Sequence, residues 1–397
     1  MSRRGSGLDV VVVGAGVVGA AAALAFARDG LQVALVETRQ PPAWQKLPTD
    51  SDRIDLRVYA FAPDNAALLD NLGVWGDVAS ARLQPYRAMR VWDAAGGGEL
   101  TFDADAFGRR ELGWIVEHAL LVDRLWHALP GAGVQLHCPD SVVALEQDDA
   151  GATVMLESGI SLRSKIVVAA DGAESKLRSL AGIEAPRHDY GQRGLVAFVE
   201  SERPHRSTCW QRFLSTGPLA FLPFDDGHVS SIVWTLPDAE AQRLLDVDDA
   251  TFLRELDNAF AGTLGASRRV SRRGAFPLRL QLAQSLASGR VAVIGDAAHA
   301  VHPLAGQGVN LGLRDVATLR QTLAAARSRG LDLAARLPRW ARAQRSENAL
   351  SAHAFDGINR LFSNDSVAAT LLRGPLLGLA GKLPPLAHAF WRHAAGQ

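Results

Sequence analysis

Near its N-terminus the chain reads Gly14-Ala15-Gly16-Val17-Val18-Gly19, set between a short apolar run and an alanine-rich stretch. The run from Leu8 to Val13 is β-branched and bounded by glycine, which suits a buried parallel strand. Val17 to Asp29 suits a helix with Gly30 following it, and Val33 to Val36 suits a second strand ending at Glu37. Strand, glycine turn, helix and strand in this order predict a βαβ unit with a right-handed crossover. Gly14 permits the tight turn, Gly16 lets a pyrophosphate approach the backbone, and Gly19 lets the helix pack on the strand. The helix N-terminus then offers free N–H groups and the positive end of its dipole to phosphate. A glycine turn alone is a weak signal, because such turns also serve packing. The terminal acid strengthens it: Glu37 lies 18 residues after Gly19, where a carboxylate accepts from ribose hydroxyls. An acid there favours an unphosphorylated adenosine ribose, as in FAD or NAD.

A chain of 397 residues exceeds one ordinary core, so two lobes are expected. Hydrophobic residues at 48% and charged residues at 21% give the balance of a soluble globular enzyme. The 42 basic and 42 acidic residues cancel, leaving no electrostatic reason for a nucleic-acid partner or a strongly anionic surface. Cys138 and Cys209 form neither a disulfide framework nor a metal knuckle, and a reducing cytoplasm fits them. Arg3-Arg4 ahead of the uncharged stretch Val10 to Ala27 imitates an export signal. The glycines at 14, 16 and 19 have the better explanation given above, and cleavage there would remove the first strand.

Further along, Pro41 to Asp55 reads as a long loop, Asn65 to Leu72 as a short helix, and Glu117 to Leu129 as an amphipathic helix. Strands are expected from Gln84 to Phe102 around the Gly96-Gly97-Gly98 turn, then at Val134–Leu136, Val142–Glu146, Ala152–Leu156 and Ser161–Ala169. Leu195–Val199, Trp210–Leu214 and Ser230–Thr235 follow as strands, and Asp249 to Gly262 as a helix. Val291–Ile294 is a third very apolar strand, after which helices are expected from Gly308 to about Arg327, Leu337 to Leu361 and Val367 to Ala380.

Two more motifs carry chemistry. Ile166 to Ala170 is followed by Asp171-Gly172 and Ser175-Lys176-Leu177-Arg178, which by itself reads equally well as an ordinary strand-to-helix turn. The segment from Arg290 to His299 contains Gly295-Asp296 and leads into His302-Pro303-Leu304-Ala305-Gly306-Gln307-Gly308-Val309-Asn310. Asp296 follows a buried strand at its carboxyl end, where ligands bind in open α/β sheets, and its carboxylate suits ribityl hydroxyls. The Gly306-Gln307-Gly308 turn opens a helix whose N–H groups suit the pyrimidine edge of a flavin, stabilising negative charge during its reduction.

Together the three motifs resemble the para-hydroxybenzoate-hydroxylase-type flavoprotein monooxygenases over nearly the whole chain. Tyr190 to Ala197, Trp210 to Phe213, Gly217 to Pro223 and Ile232 to Trp234 further resemble the ubiquinone-biosynthesis hydroxylase family. The resemblance implies an α/β fold, with a Rossmann-like FAD-binding domain, a mostly antiparallel β-sheet substrate domain and C-terminal helices. The corresponding divisions are residues 1–83, 101–180 and 274–335 for FAD, 84–100 and 181–273 for substrate, and 336–397 for the helical region. Gly14, Gly16, Val18, Gly19 and Glu37 match the family's ADP-binding turn, and Arg57 an arginine near the flavin and its pyrophosphate. Asp171 and Gly172 match a motif shared between FAD and NAD(P)H. Gly295 and Asp296 match the ribityl contact, and Pro303, Gly306, Gln307, Gly308, Val309 and Asn310 match the loop beside the isoalloxazine. His118 departs from a position often held by Arg or Asn.

The implied activity is hydroxylation of an aromatic ring with tightly bound FAD and with NAD(P)H and O2 as co-substrates, through a flavin C4a-hydroperoxide. The implied substrate is a polyprenylated phenol of ubiquinone biosynthesis, and no residue acts as covalent catalyst. No second glycine fingerprint marks a nicotinamide domain. The implied setting is cytoplasmic, with peripheral contact to the inner membrane or to a ubiquinone-biosynthesis assembly. The apolar tail from Val367 to Ala380 is too short to span a bilayer and either packs on the body or touches the membrane.

Other readings remain open: a hydroxylase of another small aromatic, a non-hydroxylating flavin enzyme, or a scaffold with a flavin fold. His299 and His302 have no carboxylate cluster beside them in sequence, which argues against metal and for a structural or flavin-adjacent role. Proton transfer by His302 is the alternative. Trp210, Phe213, Phe221 and Trp234 lie at strand spacing and either fill a core or line an apolar pocket above the flavin.

Overall fold

The computed structural model describes residues 7–94, 98–300 and 308–348. The expected flavin-adjacent residues His302, Pro303, Gly306 and Gln307 lie outside them, as do Arg3-Arg4, Gly96-Gly97 and the tail from 349 onward.

The first sheet is built on five parallel strands in the order Val291–Val293, Ser161–Ala169, Leu8–Val13, Val33–Val36 and Gln135–His137. Val10 to Val12, Ile166 to Ala169 and Val291 to Val293 have no exposed surface, as expected of strands covered on both faces. Ala287–Ser288 extends one edge antiparallel, and the hairpin Val142–Gln147/Ala152–Leu156 joins Ser161–Ala169.

The helix Val17–Arg28 packs between that sheet and the helices His118–Gly131 and Gly308–Ser328. Every residue from Ala20 to Phe26 is fully buried. Alanine on all sides lets three elements approach one helix closely, which larger side chains would prevent. The 21-residue helix Gly308–Ser328 is tied to its neighbours by Arg320 to Asp29 at 2.6 Å and Arg314 to Asp64 at 2.7 Å.

The second sheet has nine strands. Its order is His299–Ala300, Gly274–Leu282, Arg187–Ser201, Val229–Pro237, Gly217–Pro223, Thr208–Leu214, Ala88–Asp93 and Glu99–Asp103, with Ser267–Val270 also paired to Arg187–Ser201. Pairing is antiparallel except between Thr208–Leu214 and Ala88–Asp93. Strand pairing runs across two of the expected divisions, because Glu99–Asp103 and Gly274–Leu282 both belong to this sheet.

One face of the second sheet carries Leu195, Ala197, Leu219, Phe221, Ile232 and Trp234 against the helices Asp238–Asp246 and Asp249–Ala259. The alternating residues Val196, Phe198, Ala220 and Leu222 face the other way, toward Ile54, Leu56 and Ile115. A small sheet of Val58–Phe61, Gly113–Glu117 and Gln84–Tyr86 lies on this second side. Phe221 and Trp234 therefore sit in the helix-covered core, and none of Trp210, Phe213, Phe221 and Trp234 lines the large cavity described next.

Candidate active site

The three sequence motifs meet because their strands are neighbours and run parallel. Strand order places Val293, Ala169 and Val13 side by side, so the turns that follow share one end of the sheet. Gly14 has φ +94°, and a Cβ there would lie 2.3 Å from the Ala170 carbonyl oxygen. The glycine turn thus presses directly on the chain leading into Asp171. A Cβ on Gly19 would meet the Gly14 carbonyl oxygen at 1.9 Å, so helix and turn also need glycine to touch. Val18 fills the space beside Gly295 and Gly312, where added Cβ atoms would come within 3.1 Å and 2.6 Å of it. Arg178, on the short helix after Asp171, donates to the Ala297 carbonyl at 2.8 Å and joins the second motif to the third.

A cavity of about 840 Å³ opens from this junction, toward the upper end of the range of ligand pockets, roughly 300–1,000 Å³. Of the expected site residues, Gly14, Gly16, Val18, Glu37, Arg57, Asp171, Gly172, Gly295, Asp296, Gly308 and Val309 line it. Gly19 and Asn310 do not.

Gly16 is the informative glycine. It has φ −64°, which any residue adopts, and a Cβ there would meet nothing within 4 Å. Protein packing gives no reason for glycine at 16, whereas a ligand lying against the turn does. The helix it opens has no side-chain cap, so the first-turn N–H groups point free toward that space. These features fit the pyrophosphate of a dinucleotide.

Glu37 closes the adjoining end. Its carboxylate accepts from Ala15 N at 2.7 Å and from Thr38 N at 2.7 Å, which fixes the second strand end against the glycine turn. Asp296 is exposed to the cavity, yet the surrounding walls desolvate its carboxylate and raise its pKa, with His299 opposing the shift. No described residue donates a hydrogen bond to it.

Asp171 differs. Its carboxylate accepts from the Ser175 hydroxyl and, at 3.1 Å, from Leu177 N, so it holds Ser175, the N-cap of the helix Lys176–Leu180, in place while also bordering the cavity. Arg57 borders the cavity and holds Asp55 through Nε and Nη2, both at 3.1 Å. His118 lies on the same wall. Its Nδ1 shares a 2.8 Å hydrogen bond with the Tyr59 hydroxyl. Burial, then the neighbouring Arg57, push the His118 pKa down to about 4, so it is neutral near pH 7.

Asn310 is committed elsewhere. Its Oδ1 accepts from Ala62 N at 3.0 Å and Asn65 Nδ2 at 2.9 Å, and its Nδ2 donates to the Ala60 carbonyl at 2.8 Å. It latches the start of the long helix to the chain around residues 60–65. Asn310→Leu strands these buried groups and is expected to cost about 3 kcal/mol of stability. Denaturant unfolding checks this, and an unchanged midpoint would contradict the latch.

The far end of the cavity is apolar. It is lined by Leu56, Val196, Pro218, Ala220, Leu222, Val233 and Phe276, with Gln211, Ser231 and Thr235 among them. Register explains the set: Gln211, Ala220, Val233 and Val196 are successive cross-strand partners and so share one face. Reading the sequence by residue type picked the aromatic residues of these strands. The opposite parity, which is small and aliphatic, faces the cavity. Among the described residues no group of three or more His, Cys, Asp or Glu is placed to hold a metal ion.

Comparison with known proteins agrees with this geometry. A family model described as an FAD binding domain matches residues 7–332. The ubiquinone hydroxylase UbiL of Rhodospirillum rubrum is 38% identical, over 98% of this chain and 89% of that protein. The 3-demethoxyubiquinol 3-hydroxylase of Escherichia coli is 34% identical over 98% of both chains. The crystal structure of p-nitrophenol 4-monooxygenase PnpA from Pseudomonas putida superposes with a TM-score of 0.75 over 98% of each chain at 21% identity, which shows a shared fold. The family match covers most of the chain and the relatives cover nearly all of it, so this protein belongs to the FAD-dependent monooxygenases and, among them, to the ubiquinone-biosynthesis hydroxylase family.

Proposed function

We propose that this enzyme hydroxylates the ring of a polyprenylated phenol on the path to ubiquinone, using NAD(P)H and O2. One observation carries the reading: a single cavity is bounded at one end by the glycine turn and Glu37, and at the other by the aliphatic row Val196, Ala220 and Val233. Such a cavity suits a cofactor and an oily ring laid end to end. FAD, when bound, accepts hydride from NAD(P)H and activates dioxygen. The chain's residues hold, orient and keep out water. Gly16 and the first turn of Val17–Arg28 take the pyrophosphate, and Glu37 takes the adenosine ribose. Asp296 takes ribityl hydroxyls, and the N–H groups at Gly308 and Val309 favour negative charge on the ring system. The aliphatic row gives the phenol a dry seat.

On the same reading, residues 1–83, 101–180 and 274–335 make the FAD-binding unit, apart from the strand residues they lend to the nine-stranded sheet, which supplies the substrate wall. No helix among the described residues is long and apolar enough to cross a membrane. A prenylated substrate resides in the bilayer, which favours a peripheral approach; liposome flotation with and without residues 367–397 tests it, and equal flotation removes that part.

The test of function is product formation. Prenylated phenols are expected to stimulate oxygen-dependent NAD(P)H consumption and to gain one oxygen by mass spectrometry. Stimulation by small soluble phenols alone would favour the other hydroxylase reading. Ala220→Phe places a ring in the cavity's apolar end. It is expected to raise KM for the phenol about tenfold with flavin content unchanged. An unaltered KM would remove Ala220 from the substrate wall.

A further inference from the structure

Behind the cavity wall lies a charged group that the reading above does not use. Asp315, on the helix Gly308–Ser328, and His299 pair at 2.6 Å between Oδ2 and Nε2 with side chains 0% and 1% exposed. The same Oδ2 accepts from Gly295 N at 2.9 Å, and Oδ1 accepts from Asn348 Nδ2 at 3.0 Å. Three polar groups from two separate stretches of chain, 295–299 and the segment around 348, therefore converge on one carboxylate. Burial disfavours charge on His299, but the Asp315 carboxylate, by its charge and its hydrogen bond, outweighs that and raises its pKa.

A buried ion pair is a poor stabiliser compared with apolar residues of the same volume, because desolvating both charges costs several kcal/mol. Its placement here is specific. The backbone N–H it holds belongs to Gly295, which has φ +60° and immediately precedes Asp296. Gly295 is also where Val18 and Gly312 crowd the turn, so a small rotation there has little room and would redirect the next side chain.

We propose that Asp315 is a positioning residue for the cofactor: by holding the Gly295 N–H it sets the direction in which Asp296 faces the ligand, with His299 as its buried counter-charge. The proposal rests on the reading of Asp296 as a contact to cofactor hydroxyls.

FAD titration of the apoprotein, followed by flavin fluorescence, tests it. Asp315→Asn keeps the size but removes the charge, and the FAD dissociation constant is expected to rise about tenfold. Thr318→Ala is the structural control. The Thr318 hydroxyl reaches Gln344 Oε1 and accepts from Trp340 Nε1, both at 3.0 Å, and lies 3.1 Å from the backbone carbonyl of Asp315, so its loss loosens the same helix pairing while leaving every partner of the Asp315 carboxylate in place. It is expected to lower the apoprotein melting temperature while leaving the FAD dissociation constant within about twofold. Amide exchange over residues 290–300 of the apoprotein is expected to quicken in Asp315→Asn and not in Thr318→Ala.

The double variant Asp296→Ala/Asp315→Asn separates the two readings. Positioning requires it to bind FAD no more weakly than Asp296→Ala alone, and additive losses would overturn the role. Equal losses in Asp315→Asn and Thr318→Ala would reduce Asp315 to a fold contact. If Asp296→Ala binds as tightly as wild type, the reading of Asp296 fails, and a loss seen only in Asp315→Asn overturns the positioning role with it.

Discussion

Gly16→Val is expected to give a folded, colourless protein whose affinity for FAD is lowered at least 100-fold, about 2.7 kcal/mol or more. The expectation follows from what surrounds the residue. A Cβ at 16 meets no protein atom within 4 Å and the backbone angle suits any residue, so the apoprotein has little to lose. Valine is a poorer N-cap than glycine, which costs the apoprotein about 1 kcal/mol. The valine methyls instead enter the space in front of the helix N-terminus, where a pyrophosphate must approach the backbone closely.

Gly14→Ala should behave in the opposite way. There φ is +94° and the new Cβ would lie 2.3 Å from the Ala170 carbonyl oxygen, so folding itself suffers by more than about 2 kcal/mol. Flavin absorbance and thermal melting, measured on both variants, separate a ligand-reserved glycine from a structural one. Normal flavin content in Gly16→Val would contradict the assignment of the first motif.

Asp296→Ala is the second large expected effect. The carboxylate faces the cavity without a hydrogen-bond donor from the described residues, while burial raises its pKa. On the proposed function a ligand hydroxyl would supply the missing donor, and a hydrogen bond to a charged group contributes about 1.5–3 kcal/mol. Loss of FAD affinity by roughly 10- to 100-fold is expected on titration, with Asp296→Asn falling between.

The apoprotein should respond with the reverse sign. A carboxyl whose folded pKa is raised destabilises the fold once ionised, so Asp296→Asn is expected to raise the apoprotein melting temperature at pH 7. That gain should vanish below about pH 4, where the wild-type carboxyl is protonated in both states. Melting curves across pH check the sign. A gain that persists in acid, or a loss at pH 7, would mean that Asp296 is paired within the protein.

The parallel sheet and its glycine turn were legible because their signals are local. Leu8–Val13 and Val33–Val36 fall where the sequence pattern puts them, and the helix starts at Val17 as expected. The strands Val58–Phe61 and Gly113–Glu117 were not foreseen. They are short, and they pair across more than fifty residues, so nothing in their own sequence announces the partner. The helix Asp238–Asp246 was also missed. It has few apolar residues and buries only Ala241 and Leu244 on the sheet.

At the site, residue type pointed to Asp296 and Glu37, but it could not say which parity of each sheet strand faces the cavity. That is decided by register, which sets Ala220 and Val233 inward and Phe221 and Trp234 outward. Asn310 and Asp171 illustrate a second limit. Both are polar residues in motifs, and both spend their side chains on the protein's own backbone and neighbours. The importance of Asp315 could be read only after folding, since its partners lie 16, 20 and 33 residues away along the chain.

The central claim is that three separated turns hold one FAD and present its ring to the aliphatic face of the second sheet. A crystal structure of the FAD-loaded protein measures this most directly. The account predicts adenosine beside Glu37, pyrophosphate against Gly16, and the ring system between Asp296–Val309 and the row Val196, Ala220 and Val233. Density for FAD away from Gly16 and Asp296, or a ring turned from that row, would contradict it.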